Sequence, residues 1–573
     1  MTGIRLAFVA TMVAATLTGC GRGEDPVVSS GASNTLLDFV PSDTPYVAAN
    51  LEPLPEDVID TYLERMRPAL EEMQRQLTAT RADLEGQPGT DEARLALAVL
   101  SELDGNLSRS GLSTLGLDIL APKVAYGLGA FPVMRLGLSD ADALRATLQR
   151  VLDDAGITAP EQTHEGVGFW RILADDPAEP PLGLYLSIQQ DHLAAAVLPP
   201  SAEAELLPAF LGHDRPASSD ARARLSELNR SHGYTPYGSG ILDLHRLADQ
   251  FLGPDTPMAR LMATSGEYDP AEMTAECTRE IHEIIDNAPR MTAGTTELSK
   301  AAIAYQYRLE SPETLAGELA KLVARLPAAD ALSDRVLELS FGMRLGAVRD
   351  FLRDKATAIV EDPYRCEQLQ DLNRSAEQSL AQLDQPMPPF VNNFRGVRIS
   401  LSEFMMGQEQ IPTDARGHLA LHVEQPEMFV GMAQMFLPDL SELALAPGED
   451  PVPIPASLIP APDLVAFAAM STNAIGLSAG AGEEATLQQF LEREPGPDGM
   501  FLSASYDTAA YLEYTGGPQQ PSHGNDNGDP APALHAIGKA TRDALGTVAD
   551  RSLTTLQFGP EGLVIDGRMT FKQ

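Results

Sequence analysis

Residues 184–211 (LYLSIQQDHLAAAVLPPSAEAELLPAFL) can be laid over residues 464–491 (LVAFAAMSTNAIGLSAGAGEEATLQQFL) without a gap. Leu184, Glu203, Leu207, Phe210 and Leu211 then meet Leu464, Glu483, Leu487, Phe490 and Leu491. Upstream of each stretch an alternating strand runs into a helix: MRLGLSDADALRATLQRVL at 134–152 and LALHVEQPEMFVGMAQMFL at 419–437. IAYQYRLESPETLAGELAKLV at 303–323 is a third copy of that strand-to-helix passage. Ala141, Pro426 or Pro312 stands at the start of each helix, followed by an acidic residue that suits the helix dipole. Self-similarity of this kind marks copies of one supersecondary unit. The unit reads as strand, helix, two or three strands, helix. Alternation and short connections predict antiparallel sheets with helices on one face, an α+β architecture.

The 573 residues suffice for two to four domains, and 43% hydrophobic with 21% charged residues allows a sizeable core. Residues 36–54 hold a strand-like YVAANL between Pro-bearing turns. Apolar residues at helical spacing from Val58 to Leu77 predict a long amphipathic helix over 56–85. GQPGT breaks it before a second helix over 90–107, which makes an N-terminal helical hairpin. The expected organisation is an N-terminal α+β module at 36–255, a helix-rich middle region at 256–370 and a C-terminal α+β module at 371–573. The last residues, LTTLQFGPEGLVIDGRMTFKQ, read as a β-hairpin, and 515–532 as a Gly/Pro/Asn-rich surface loop.

Lys+Arg number 41 against Asp+Glu 81, a net charge of −40, which argues against nucleic acid as a partner. At the other end of the chain Arg5 precedes a short apolar run, LAFVATMVAAT, and then Leu17-Thr18-Gly19-Cys20. The run is too short to span a bilayer of roughly 30 Å as a helix. This segment resembles the signal peptide and lipobox of bacterial lipoproteins: a Leu, two small residues, then Cys. The resemblance implies a signal peptide at 1–19 and lipidation of Cys20, with a diacylglycerol on the thiol and an amide-linked acyl chain such as palmitate. The chain would then meet the membrane through its N-terminal acyl chains and meet the lipoprotein processing and sorting machinery. Residues 20–35 would be a lipidated tether. Gly21, in place of the Asp that retains such proteins in the inner membrane, favours the outer membrane, facing the periplasm.

Of three cysteines, lipidation of Cys20 leaves Cys277 and Cys366, an even number for an oxidising compartment. One disulfide between them is expected, closing a long loop and contributing about 4–5 kcal/mol in the chain-entropy model. Neither lies in a CxxC or beside paired histidines, so redox and zinc chemistry are not indicated.

Among candidates for catalysis, Gly476-Leu477-Ser478-Ala479-Gly480 matches the G-x-S-x-G of a nucleophile elbow. Asp498 or Asp507, then His523 or His535, would complete the order Ser, Asp, His. The repeat opposes this, since Ser478 aligns with Leu198 and Gly480 with Pro200. His418 and His422 on one strand would share a face about 13 Å apart, too far for one ion. His282-Glu283-Ile284-Ile285-Asp286 imitates a zinc helix but needs a ligand from elsewhere. Asp526 to Asp529 lack the spacing of a calcium loop. No phosphate-binding glycine loop occurs, and aromatic residues are only 6%, with Trp170 the sole tryptophan. Met428, Met432 and Met435 fall at near-helical spacing, as core packing does. No metal and no cofactor is expected. The expectation is an envelope lipoprotein that binds a ligand or partner or acts as a scaffold; a serine hydrolase using Ser478 is the alternative.

Overall fold

A computed structural model describes residues 34–68, 91–173, 182–213, 219–264, 273–330, 333–406, 412–436, 443–455, 464–510 and 546–572, with a few isolated positions between them. The signal segment, Cys20, the GQPGT break and the 515–532 stretch lie outside the described residues. The chain divides into two units, one holding Met1–Tyr307 with Pro518–Val548 and Phe571–Gln573, the other Arg308–Gly517 with Ala549–Thr570. The stretch expected as a separate middle region is shared between them and carries three strands as well as helices.

In the first unit the elements run β1 (Tyr46–Ala49), α1 (Glu56–Arg65), α2 (Asp91–Leu103), α3 (Arg109–Thr114), β2 (Lys123–Leu128), β3 (Phe131–Gly137), α4 (Ala141–Ala155), β4 (Gln162–His164), β5 (Val167–Leu173), β6 (Gly183–Ile188) and β7 (His192–Leu198). They continue as α5 (Glu203–Leu211), α6 (Ala221–His232), β8 (Ser239–Asp243), α7 (Leu244–Leu252), α8 (Pro257–Ala263), α9 (Ala275–Ile285), β9 (Arg290–Leu298) and β10 (Ala302–Glu310). The antiparallel order is β4-β5-β6-β7-β3-β2-β1-β8-β9, with β10 beside β9.

Local signals set the helix ends. Asp140 caps α4 by accepting from the backbone N–H groups of Asp142 and Ala143 at 2.9 and 3.0 Å, and Gly156 ends it at φ 65°. The strands of this unit are apolar on both faces. On one face Tyr185, Ala194, Ala196 and Leu198 pack under α5 and α6, through Leu207, Phe210, Leu225 and Leu228. On the other, Trp170, Ile172, Ile188 and Leu193 pack under Leu144 and Leu152 of α4. Helices therefore cover both faces, which corrects the expected single helical face; HLAAAVL buries Ala195 as well as every even position from His192 to Leu198. α2 packs on α4, where Ala98 and Leu95 meet Val151 and Ala155. The stretch joining α1 to α2 lies largely outside the described residues, so the expected hairpin turn does too.

The second unit runs α10 (Glu313–Ala320), β11 (Leu337–Gly342), α11 (Leu345–Glu361), α12 (Gln370–Leu383), α13 (Pro389–Asn393), β12 (Phe394–Met406), β13 (Pro412–Val423), α14 (Pro426–Phe436), β14 (Val452–Pro453), β15 (Ala466–Met470), β16 (Ala474–Ala479), α15 (Glu484–Leu491), β17 (Met500–Asp507), β18 (Ala549–Gly559) and β19 (Gly562–Phe571). Its antiparallel order is β14-β15-β16-β13-β12-β11-β17-β18. β19 returns beside β18, where Arg551 N–H donates to Thr570 Oγ1 at 3.2 Å. α15 lies close on β16: a Cβ on Gly476 would stand 2.7 Å from Leu491 Cδ2 and 3.0 Å from Leu487 Cδ1. Among the described residues no helix is long and apolar enough to cross a membrane.

Cys277, in α9, and Cys366 are buried at 3% and 2% exposure, and each is disulfide-bonded. That is compatible with the expected pairing. Peptide mapping without reductant should recover one cross-linked peptide joining Cys277 to Cys366, and two alkylatable thiols in the native protein would refute it.

Candidate functional site

The buried polar groups of the second unit gather on one face of its sheet. The ladder places Ser478 of β16 opposite His418 of β13, His418 opposite Ser400 of β12, Ser400 opposite Glu338 of β11, and Glu338 opposite Ser505 of β17. All five are at most 6% exposed. Two residues along, the next row on the same face reads Gly476, Ala420, Arg398, Ser340, Ser503. In the first unit the strands in the same ladder order, β7, β3, β2, β1 and β8, carry Ala196, Val133, Tyr126, Val47 and Ile241. That row is an apolar core, whereas the Ser478 row of the second unit is polar throughout.

A buried polar layer persists only when its members satisfy one another. Glu483, at the start of α15, takes two bonds from Arg335 Nη1, at 2.9 and 2.8 Å, and one from Ser402 Oγ at 2.8 Å. Burial by itself would raise the Glu483 carboxyl, but the Ser402 and Arg335 bonds hold it below its ordinary value. Glu338 accepts from the backbone N–H of Asp330 at 2.7 Å, from Ser333 Oγ at 3.1 Å and from Arg493 at 3.3 Å. Arg551 donates to Ser505 Oγ at 2.6 Å and to the Arg335 carbonyl at 2.8 Å. Ala329 N–H donates to Ser503 Oγ at 2.7 Å. Ala329, Asp330, Ser333 and Arg335 are thereby laced over this face of the sheet.

Arg398 is 2% exposed, sits 4.2 Å over the Phe490 ring and donates to the Phe490 carbonyl at 2.7 Å, near the C-terminal end of α15. Burial and the nearby Arg493 push it down to about 10. The first unit reaches the same result from the neighbouring strand. Arg135 of β3, directly opposite Val124, donates to the Phe210 carbonyl at the end of α5. In the second unit the arginine is on β12 and its partner across the ladder is Ala420.

Of the candidate catalytic residues, Ser478 sits in β16 and not on a strand-to-helix elbow. It is 1% exposed and its Oγ has no hydrogen-bond partner. His418 faces it across the ladder, but His418 Nε2 lies 2.8 Å from the Glu483 carbonyl, to which it must donate. That leaves the lone pair on Nδ1, but Ser478 Oγ is hydrogen-bonded to neither ring nitrogen. Asp507 caps Ala510 N–H at 2.9 Å and Asp498 pairs with Arg325 at 3.0 Å, each away from Ser478. His523 and His535 lie outside the described residues, as do Asp526 to Asp529. Gly480 turns the chain at φ 94°, a conformational reason for that glycine.

His418 and His422 share one face of β13, both buried. Burial and then Arg398 hold the His422 imidazole down at about 4, and its Nε2 is buried without a partner. Burial also lowers His418, against the pull of Glu483. His282 lies on α9 and Asp286 follows its end. Among the described residues no set of three or more His, Cys, Asp or Glu side chains is arranged to hold a metal ion. Trp170 is 6% exposed in the core under α4, while Met428 and Met435 of α14 are exposed at 37% and 73%. The methionine stripe is thus not the core packing its spacing predicts.

Sequence reading missed the polar layer because LELSFG, RISLS and SASYD alternate as strands with one wet face do. No protein-family model, curated protein or solved structure matches this chain.

Proposed function

We propose that the chain is a lipid-anchored bacterial envelope protein, held through acyl chains on Cys20 in the outer membrane and facing the periplasm. It is built from two copies of one antiparallel module and works by binding a ligand or partner, or as a scaffold, without catalysis of its own. The lipobox LTGC supports the anchor. Three features support the duplication: the ungapped alignment, the matching strand orders, and the arginine that reaches the Phe210 or Phe490 carbonyl from either of two neighbouring strands.

One observation carries the binding reading over the hydrolase. The strongest polar groups of the second unit are spent on one another, and Ser478 Oγ is buried within a strand with no hydrogen bond to His418 or to any other base. A serine nucleophile needs a base within hydrogen-bond reach of its hydroxyl, and access for substrate.

Two measurements test the pair of readings. Cys20→Ser is expected to abolish acylation and to move the protein from the membrane to the soluble fraction; persistent membrane attachment would overturn the anchor. A fluorophosphonate serine probe is expected to leave the protein unlabelled, with Ser478→Ala behaving like the parent chain. Labelling that disappears in Ser478→Ala would restore the hydrolase.

A further inference from the structure

The helical insertion between β8 and β9 brings together four side chains that the sequence keeps apart. His245 and Asp249 lie one turn apart on α7; His282 and Asp286 lie one turn apart on and just beyond α9. Their contacts are crossed. His245 Nε2 lies 3.0 Å from Asp286 Oδ1, and His282 Nε2 lies 3.0 Å from Asp249 Oδ1. Between the two rings, Nδ1 faces Nδ1 at 2.6 Å, with the rings nearly parallel. The result is one chain, carboxylate, imidazole, imidazole, carboxylate, in which all three links join α7 to α9.

Proton counting decides what such a chain requires. An ionised carboxylate only accepts, so each Nε2 must carry a proton. A neutral imidazole has only one, which leaves both Nδ1 atoms as bare lone pairs pointed at each other. At 2.6 Å that arrangement is repulsive. One added proton turns the repulsion into an N–H···N hydrogen bond, and the two outer carboxylates favour the positive charge it brings. A second added proton would set N–H against N–H. The geometry therefore fits a pair holding one shared proton. A zinc ion is a poorer fit, since bonds of about 2.0–2.1 Å in a tetrahedral arrangement would hold the nitrogens about 3.3 Å apart.

The other charged groups on the packed elements have partners of their own. Arg246 of α7 pairs with Asp243 of β8, Arg279 of α9 with Glu276 and Glu283, and Arg260 of α8 with Glu205. Glu280 of α9 and Arg290 of β9 are also engaged.

We propose that His245 and His282, with Asp249 and Asp286, form a one-proton clasp that holds α7 to α9 and releases when rising pH removes the shared proton. This does not depend on the function proposed above. Its direction follows from the count: the link exists only while the extra proton is bound, so alkalinisation opens it.

The test uses the full chain with 15N-labelled histidine, followed between about pH 5 and 10 to span the histidine range. The expected result is a scalar coupling between the two Nδ1 nuclei across the hydrogen bond near neutral pH, absent in His282→Gln. The coupling should vanish at higher pH, with amide exchange in α7 and α9 quickening on the order of tenfold beyond the intrinsic base-catalysed rise as the clasp opens. No coupling at any pH would overturn the proposal, and so would a coupling that survives to the top of the range. Replacement of the coupling by zinc-bound nitrogen shifts at stoichiometric zinc would also overturn it, in favour of a metal site.

Discussion

Glu483→Ala is expected to destabilise the second unit by roughly 3–5 kcal/mol, the range for removing one partner of a buried ion pair. Arg335 would lose both its bonds, Ser402 the nearer of its two acceptors, and His418 the charge beside its ring. The Glu483 side chain is 9% exposed and that of Arg335 is 20%, so water replaces little of what is lost. The change at the residue aligned with it in sequence, Glu203→Ala in the first unit, should cost less, about 1 kcal/mol, because Arg171 and Glu203 are 33% and 23% exposed. Chemical denaturation of both variants beside the parent chain measures the difference. Equal small losses would mean that the buried pair contributes no more than a surface one. The double change Glu483→Leu with Arg335→Met should recover most of the loss, since it leaves no charge stranded. Because Glu483 is held below its ordinary value in the folded state, its contribution is present at neutral pH and is lost as the pH falls through that lowered value.

The second large effect is a pH dependence located at one residue. His422 is held at about 4 by burial and by Arg398, against an ordinary value of 6.5. The unfolded chain takes up a proton there that the folded chain refuses, so stability is full above about pH 6.5 and falls as the pH drops towards 4. Each pH unit between those two values is worth about 1.4 kcal/mol, so roughly 3 kcal/mol is at stake. In His422→Leu that part of the acid loss should disappear, leaving only the steeper decline from the carboxylates below it. Unfolding measured at a series of pH values checks this. A variant with the same acid profile as the parent chain would show that His422 titrates freely in the folded protein.

Helix starts were legible in the sequence because they rest on signals a few residues long. α4 begins at Ala141, α14 at Pro426 and α10 just after Pro312, as the acidic and proline patterns predict. The passage from strand into helix at β3–α4 and β13–α14 was also readable. The face each side chain takes was not. Alternation in RISLS says that Arg398, Ser400 and Ser402 share a side, but what lies on that side comes from Ala329, Asp330, Ser333 and Arg335 and from α15, far away in the chain. Water and a layer of paired charges leave the same period of two in a strand.

The candidate site divides along the same line. The G-x-S-x-G spacing is compatible with an elbow or with a strand, and only the ladder shows Ser478 opposite His418. His282 and Asp286 were visible as half of a cluster, and the other half, His245 and Asp249, arrives on a separate helix. Exposure of Met428 and Met435 likewise depends on what packs against α14 and not on their spacing.

The polar layer also bears on how the two units differ. Val133, Tyr126 and Val47 form a buried apolar row in the first unit, while His418, Ser400 and Glu338 form a buried polar row in the second. Burying polar groups stabilises less than burying apolar ones of similar size, and their bonds must be complete to avoid a penalty. Removal of a buried charge is accordingly expected to cost the second unit more than the first, whose main core cluster is apolar.

Native mass spectrometry of the protein extracted gently from its own membranes tests the lipid-anchored binding role most directly. The expected result is a chain that begins at Cys20, carries the mass of its acyl groups, and retains a further mass that is lost on denaturation. An unmodified chain that still contains residues 1–19 would contradict the anchor, and an acylated chain that never carries a ligand or partner would contradict the binding role.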